Sequence, residues 1–248
     1  MVELLIVVAI LGILASLIIP VGRRAMDSAN AAKCMSNLHQ IGVAANGYLG
    51  DNDGKLVPGY EGTAAAANDA RAWRALFLPY LQVQKQGMKV FSCPSDPTEA
   101  KRTEFSWGQM TGLNPTSYAI CQFYYYNVAG ETLPYPGLHS SGSDKRDYRV
   151  ASVKKPSSTI FISDIGRPDS VSVPISQWTE NGRRLSNANF GFGSIPGLWV
   201  PGGDAMYPRH AVGKCHSLFY DGHVAALDLQ KDLIDHPIGD PQCLYDNL

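Results

Sequence analysis

The chain begins with a run of apolar residues long enough to cross a lipid bilayer. Residues 4–19 carry no charged side chain, and one acid, Glu3, stands directly before them. As an α-helix, residues 1–19 would extend roughly 28 Å at about 1.5 Å per residue, close to the hydrocarbon thickness of about 30 Å. The run therefore predicts a membrane-spanning helix at the N-terminus.

A cleaved secretory signal is the alternative interpretation of this run. Signal peptides begin with a basic region and end in small residues before the cleavage site. Here Glu3 takes the place of the basic region, and Pro20 follows two isoleucines. A retained helix is therefore favoured.

Beyond Pro20 the pattern becomes that of an amphipathic helix. Apolar positions recur every three or four residues, with polar residues between them. The apolar set is Ala31, Cys34, Leu38, Ile41 and Ala45, and the intervening polar set is Arg23, Arg24, Asp27, Lys33 and Asn37. The sequence Gly-Asp-Asn-Asp-Gly at 50–54 then predicts the end of the helix. We expect one helix over residues 1–50, with 1–22 in a membrane or filament core, 23–50 as an amphipathic spine, and a globular head over 51–248.

The composition of the head favours short strands and irregular segments. The chain has 24 glycines and 16 prolines, concentrated after residue 50, which suit loops better than a helical bundle. A net charge of −1 and the absence of Lys/Arg runs argue against a nucleic-acid surface. The predicted fold class is α+β, with the long helix packed on a loop-rich antiparallel β head.

Glu3 needs a partner if the helix is buried along its whole length. A charged side chain in hydrocarbon costs about 2.5 to 3.5 kcal/mol, and less near the membrane surface. The acid therefore either reaches the surface or pairs with a cation, such as the α-amine of a neighbouring chain. Small side chains at Gly12, Ala15 and Ser16 allow close helix approach. An ordinary lipid-facing anchor explains the same small residues equally well.

These residues resemble the N-terminus of type IV pilins and of the pseudopilins of type II secretion. The match covers Glu3, the apolar run with Gly12, Pro20 at its end, and the segment "RRAMDSANAAKCMSNLHQIGVAANGYLGDNDGKLVP". The resemblance implies a prepilin peptidase that removes a basic leader and methylates the new N-terminus, and a glutamate that pairs with the amine of an adjacent subunit. Glu3 would take that role, with Gly12 and Pro20 in the assembly helix. The chain starts Met-Val-Glu, so a truncated start or unusual processing is expected.

Three head segments resemble a large-headed subgroup of these pilin-like proteins. They are "VFSCPSDP", "SVKKPSSTIFISD" and "RHAVGKCHSLFYDGHVAAL". The last is similar to a C-terminal signature of a histidine, nine residues and Asp-Gly. Here ten residues separate His210 from Asp221-Gly222, one more than in the signature.

Two of these segments predict strands. Asp221-Gly222 between apolar runs predicts a two-residue hairpin of type I′, in which both turn residues have positive φ. "STIFISD" predicts a buried strand with Ile160 and Ile162 on one face and Phe161 on the other. The acid that ends this segment, Asp164, is interpreted as a turn cap more readily than as a ligand.

No metal, cofactor or catalytic site is predicted. His210, His216, His223 and Asp221 lack a fixed ligand spacing, so each histidine is interpreted as structural. The "GDNDG" stretch lacks the glutamate of an EF-hand loop. The sequence has no serine elbow, phosphate loop, dinucleotide fingerprint or H-E-x-x-H helix, so an enzyme is not expected.

The chain has five cysteines and no C-x-x-C pair. We favour a disulfide between Cys34 and Cys93, which would fasten the head to the spine; two separately buried thiols are the alternative. The remaining cysteines, Cys121, Cys215 and Cys243, are left unassigned.

Together these features predict a subunit of a type IV pilus-like or pseudopilus filament whose main partners are copies of itself. It would wait in the inner membrane as a single-pass protein and then join a periplasmic or extracellular filament. The alternative is a membrane-anchored extracytoplasmic module that binds polysaccharide or protein, with the helix as a tether.

Overall fold

The structure, a computed structural model, describes residues 2–57, 73–81, 87–96, 117–120, 149–166, 168, 173–179, 205–210, 213–236 and 240–244. These ranges contain one very long helix and a small antiparallel sheet, so the fold class is α+β as predicted.

Helix α1 runs from Val2 to Asp51 and continues through Pro20. It ends where the glycine-rich stretch predicts, because Asp53 and Gly54 adopt left-handed φ values of 52° and 72°. The Gly54 N–H donates to the Leu49 carbonyl at 2.8 Å, which satisfies one of the terminal carbonyls. The backbone carbonyl of Asp53 also accepts a hydrogen bond from Arg149. Residues 50–54 therefore end the helix, and the hydrogen bond from Arg149 connects this end to the head.

The second half of α1 packs on the head, as the amphipathic pattern predicts. Cys34, Leu38 and Ile41 are fully buried. The expectation for Asn37 is wrong, because this residue is buried rather than solvent-facing. Its side-chain amide donates to the Ser92 carbonyl at 2.9 Å, which compensates the loss of water.

The sheet is antiparallel and contains four main strands in the order β1-β2-β4-β5. The strands are β1 (Tyr118–Ile120), β2 (Ile160–Gly166), β3 (Ala205–Met206), β4 (Lys214–Phe219) and β5 (Val224–Asp228). The short β3 pairs with the end of β2. All seven residues of β2 are buried, so this strand is the centre of the head.

A β-bulge changes the predicted faces of β2. Ile160 pairs with Phe219 and Ile162 with Leu218, so two steps along β2 match one step along β4. As a result Ile160 packs in a different apolar cluster from Phe161 and Ile162. The expectation that Ile160 and Ile162 share a face is therefore wrong, since strict alternation holds only without an extra residue.

The predicted hairpin joins β4 to β5, but its turn differs from the prediction. The Phe219 N–H donates to the His223 carbonyl at 2.9 Å, and the Gly222 N–H donates to the Phe219 carbonyl at 3.0 Å. Among the loop residues Tyr220, Asp221 and Gly222, only Gly222 has a positive φ, at 92°. The loop therefore has three residues ending in a left-handed glycine, instead of a two-residue type I′ turn.

Apolar clusters cover both faces of the sheet. The first lies between α1, the sheet and the short helix α2 (Trp73–Phe77). Trp73 packs edge-to-face against Phe77 and Phe91, so α2 supplies aromatic side chains to this cluster. The second cluster lies on the opposite face and includes Cys215 and Cys243, both buried thiols. Cys121 lies outside the described residues.

Cys34 of α1 and Cys93 form a disulfide, so the favoured pairing is confirmed. The bond closes a sequence separation of 59 residues between the spine and the head. Tyr118 of β1 donates its hydroxyl to the Cys34 carbonyl at 3.4 Å. Burial, supported by the charge of Asp164, holds the pKa of Tyr118 well above its ordinary value, so the hydroxyl remains a donor.

Replacing both Cys34 and Cys93 with serine should destabilise the head by about 4 kcal/mol, because the unfolded chain regains the entropy of a long loop. Urea denaturation of the full chain in detergent, followed by the fluorescence of buried Trp73 and Trp178, measures the change. As a control, reductant with a metal chelator should lower the stability of the unmodified protein to that of the double variant and leave the variant unchanged. An unmodified protein equally stable with and without reductant would contradict this role.

Candidate functional site

The N-terminal half of α1 presents a continuous apolar surface that no described part of the chain covers. Its large apolar side chains from Val2 to Met26 are about half or more exposed, and Leu4 reaches 71%. One helix among the described residues, α1, is long and apolar enough to cross a membrane, and its most apolar window is wholly unburied. Glu3 lies in the first turn of this helix, also exposed.

Gly12 lies within this surface and has no packing partner among the described residues. A Cβ atom built on Gly12 meets no atom within 4 Å. Gly42, in the second half of α1, differs, because a Cβ there would lie 2.9 Å from the Leu218 side chain. Glycine in a helix costs about 0.5 to 1 kcal/mol relative to alanine. The close contact with Leu218 therefore explains why position 42 is a glycine. No contact within the described residues explains the glycine at position 12.

Pro20 ends the apolar run without ending the helix. Its ring supplies no backbone N–H, so the carbonyl of Ser16 loses the usual donor four residues on. The Ser16 hydroxyl in turn donates to the Ile13 carbonyl at 2.7 Å. The backbone hydrogen bond that is missing at Pro20 therefore lies near the junction between the exposed half of α1 and the spine.

A second notable feature is a buried polar cluster where the spine meets the sheet. Its centre is Asp164 of β2, which is fully buried. One carboxylate oxygen, Oδ2, accepts the backbone N–H of His216 at 2.7 Å and lies 3.2 Å from His210 Nε2. The interpretation of Asp164 as a turn cap is wrong, because it lies inside a strand and pairs with Tyr118 of β1.

Arg209 links this centre to the segment that carries the disulfide. Its guanidinium lies 3.7 Å from Asp164 Oδ1 and 3.8 Å from Asp96 Oδ2, with its side chain 2% exposed. Asp96 also accepts a hydrogen bond from the Ser117 hydroxyl at 2.6 Å. The same hydroxyl accepts the backbone N–H of Cys93 at 2.9 Å. One cation thus holds two buried carboxylates from different parts of the head.

His210 and His216 stack face to face beside Asp164. Their ring centroids are 3.8 Å apart and their planes differ by 12°. Burial lowers the pKa of His216 to about 4, although Asp164 acts in the opposite direction. At neutral pH His216 is therefore an uncharged ring, and its Nδ1 has no hydrogen-bond partner among the described residues.

The structure separates the parts of the predicted His/Asp-Gly signature. His210 forms an isolated bridge with Lys214 and packs against the disulfide, with Nε2 3.6 Å from Cys93 Sγ. Asp221 lies at the exposed hairpin loop, where its carboxylate contacts the ring of His223 at 2.6 Å. Burial raises the pKa of Asp221, but the hydrogen bonds from the His223 backbone and ring outweigh it and lower the pKa overall. The signature residues therefore serve two separate places in the head.

The arrangement joins several segments of the head through buried polar contacts. Asp164, His210 and His216 are buried, and the adjacent sulfur of Cys93 is committed to a disulfide. The sequence did not predict that Asp164, Arg209 and Asp96 belong to one network. The only sign of this network in the sequence was a charged residue next to an apolar segment.

Comparison of the chain with protein-family models, curated proteins and solved structures finds no match. The structure itself shows an α+β fold with one N-terminal helix, among the described residues, that is long and apolar enough to cross a membrane. Its resemblance to pilins rests on the N-terminal residues and on the three head segments, and the long apolar helix with a small antiparallel sheet is compatible with it.

Proposed function

We propose that this chain is a structural subunit of a pilin-like filament, assembled through the first half of α1. The observation that supports the proposal most directly is the uncovered apolar surface from Val2 to Met26, on a helix whose second half is firmly packed on a head. Lipid covers this surface while the subunit waits in the inner membrane. Identical helices cover it in the filament.

The two states exchange one apolar environment for another, so the hydrophobic effect alone does not favour assembly. Helices in such surroundings associate through close packing and polar pairs. The open space around Gly12 provides a place for close packing, and Glu3 provides the polar group. Heterologous contacts that do not close into a ring produce a fibre, which the single long helix extending from the head makes possible.

Gly12→Ile tests the packing step, with Gly42→Ile as the matched control. A Cβ at position 12 meets none of the described residues within 4 Å, and isoleucine keeps the segment apolar, so membrane insertion and head stability should be unchanged. Fibres seen by electron microscopy after detergent removal, and in sheared cell-surface material, should fall at least roughly tenfold, the effect of about 1.4 kcal/mol at each contact. Gly42→Ile should instead destabilise the head through its contact with Leu218.

The tether hypothesis gives the opposite result. If the helix only anchors a binding module, the unmodified full chain forms no fibres and Gly12→Ile changes nothing. Discrete particles of the unmodified protein, each with its helix covered by detergent, would overturn the filament proposal.

A further inference from the structure

His210 lies against the two cysteines that join the spine to the head. The candidate ligand atoms of Cys34, Cys93 and His210 all lie within 4.8 Å of one another, and all three residues are buried. His210 Nε2 is 3.6 Å from Cys93 Sγ and 3.2 Å from Asp164 Oδ2. Because every chain is synthesised with thiols, a form with two cysteine thiols here precedes the disulfide.

One distance matches an edge of a zinc tetrahedron. With zinc bonds of about 2.3 Å to sulfur and about 2.0 to 2.1 Å to nitrogen, a sulfur–nitrogen edge is about 3.5 Å. His210 Nε2 lies 3.6 Å from Cys93 Sγ, within about 0.2 Å of this value. Once the cysteines are thiols, the two sulfurs can turn apart about their Cα–Cβ bonds and lengthen the sulfur–sulfur edge.

The charges of the site also balance around a divalent cation. Two thiolates carry two negative charges, which Zn²⁺ cancels, while the Arg209 guanidinium stays shared between the Asp164 and Asp96 carboxylates. Arg209 lies beside Asp164 Oδ1, on the carboxylate oxygen that does not face His210. A buried set of charges is tolerable when it is paired in this way.

A second set of residues, Asp164, His210 and His216, also brings ligand atoms within 4.8 Å, but its geometry is unsuitable. Imidazole nitrogens bind metals in the plane of the ring. Because the His210 and His216 rings are stacked with planes 12° apart, their lone pairs do not converge on one ion. His216 contributes instead through its backbone N–H, which orients the Asp164 carboxylate at 2.7 Å.

We propose that the dithiol form of the chain binds one Zn²⁺ through three protein ligands, Cys34, Cys93 and His210, beside the Asp164 carboxylate. On binding, the two thiol protons leave to solvent and two zinc–sulfur bonds form, with no change in oxidation state. Zinc and the disulfide exclude each other, so the junction between spine and head is held by one or the other. This site is independent of filament assembly.

The test uses the full chain in detergent, either disulfide-bonded or reduced with a phosphine, dialysed against Zn²⁺. The expected metal content is one zinc per reduced chain and none per disulfide-bonded chain. Co²⁺ in place of Zn²⁺ should give sulfur-to-cobalt charge-transfer absorption in the reduced chain, which reports thiolate ligation without any mutation.

Variants identify the ligands. Cys34→Ser/Cys93→Ser should abolish the cobalt absorption, and His210→Ala should weaken zinc binding by at least roughly tenfold, the lower end of what the loss of an outer-shell partner alone costs. Serine at Cys121, Cys215 and Cys243 together, or His223→Ala at the exposed hairpin, should leave both signals intact. The proposal is overturned if the reduced chain takes up no more zinc than the double serine variant, or if the cobalt signal follows the other three cysteines.

Discussion

Asp164→Ala should destabilise the head by about 3 to 5 kcal/mol, the cost of removing one partner from a buried ion pair. The substitution leaves Arg209 with Asp96 as its remaining carboxylate in the cluster, at 3.8 Å, and removes the acceptor of the His216 N–H. Both groups are buried, so water does not replace the lost partner. Urea denaturation of the disulfide-bonded full chain, followed by tryptophan fluorescence, measures the loss.

Two further variants separate charge from general disruption. Asp164→Asn keeps an oxygen that can accept the His216 N–H but loses the charge, so its stability should lie between those of the unmodified protein and Asp164→Ala. Asp221→Ala removes an exposed carboxylate at the hairpin and should cost at most about 1 kcal/mol. Equal losses for Asp164→Ala and Asp221→Ala would show that the buried network is not a major source of stability.

Glu3→Ala should reduce fibres to background while leaving the head folded. Glu3 is far along α1 from the residues that pack on the head, so its loss should not change urea denaturation. In the proposed filament the carboxylate pairs with an amine of a neighbouring subunit, and the alanine variant leaves that cation without its partner in an apolar surrounding. Electron microscopy of sheared surface material measures the fibres, and quantitative detection in the membrane fraction shows that the subunit is present.

Matched acidic and conservative variants make this result specific. Asp27→Ala removes another exposed acid from the same helix and should preserve fibres. Glu3→Gln keeps the shape without the charge and should fail like alanine, whereas Glu3→Asp should restore part of the yield. Fibres of Glu3→Ala at the normal yield would show that the acid has no role in assembly, even if the helix itself does.

The long helix and its two halves were predictable because their signals are local. An uninterrupted apolar run, then apolar residues every three or four positions, then a left-handed Gly-containing stop are all properties of neighbouring residues. The existence of the β4–β5 hairpin follows in the same way. The Cys34–Cys93 pairing needed an additional assumption, that the spine packs on the head.

The sequence-based predictions were wrong where residues far away in the chain determine what surrounds a side chain. Asn37 looked solvent-facing because the helical pattern does not show that the Ser92 carbonyl lies opposite it. Ile160 changed faces because the bulge depends on how β2 pairs with β4. The hairpin turn was mistaken because three residues, rather than two, match the register of its strands.

The sequence by itself therefore determined the apolar rod, the amphipathic spine and the acid at its start, since these depend on the order of adjacent residues. Only the tertiary structure decided that Asp164, Arg209, Asp96 and the stacked histidines form one buried network beside the disulfide. Those residues are far apart in the chain, and each carries a charge or ring whose burial is acceptable only when the fold supplies its partners.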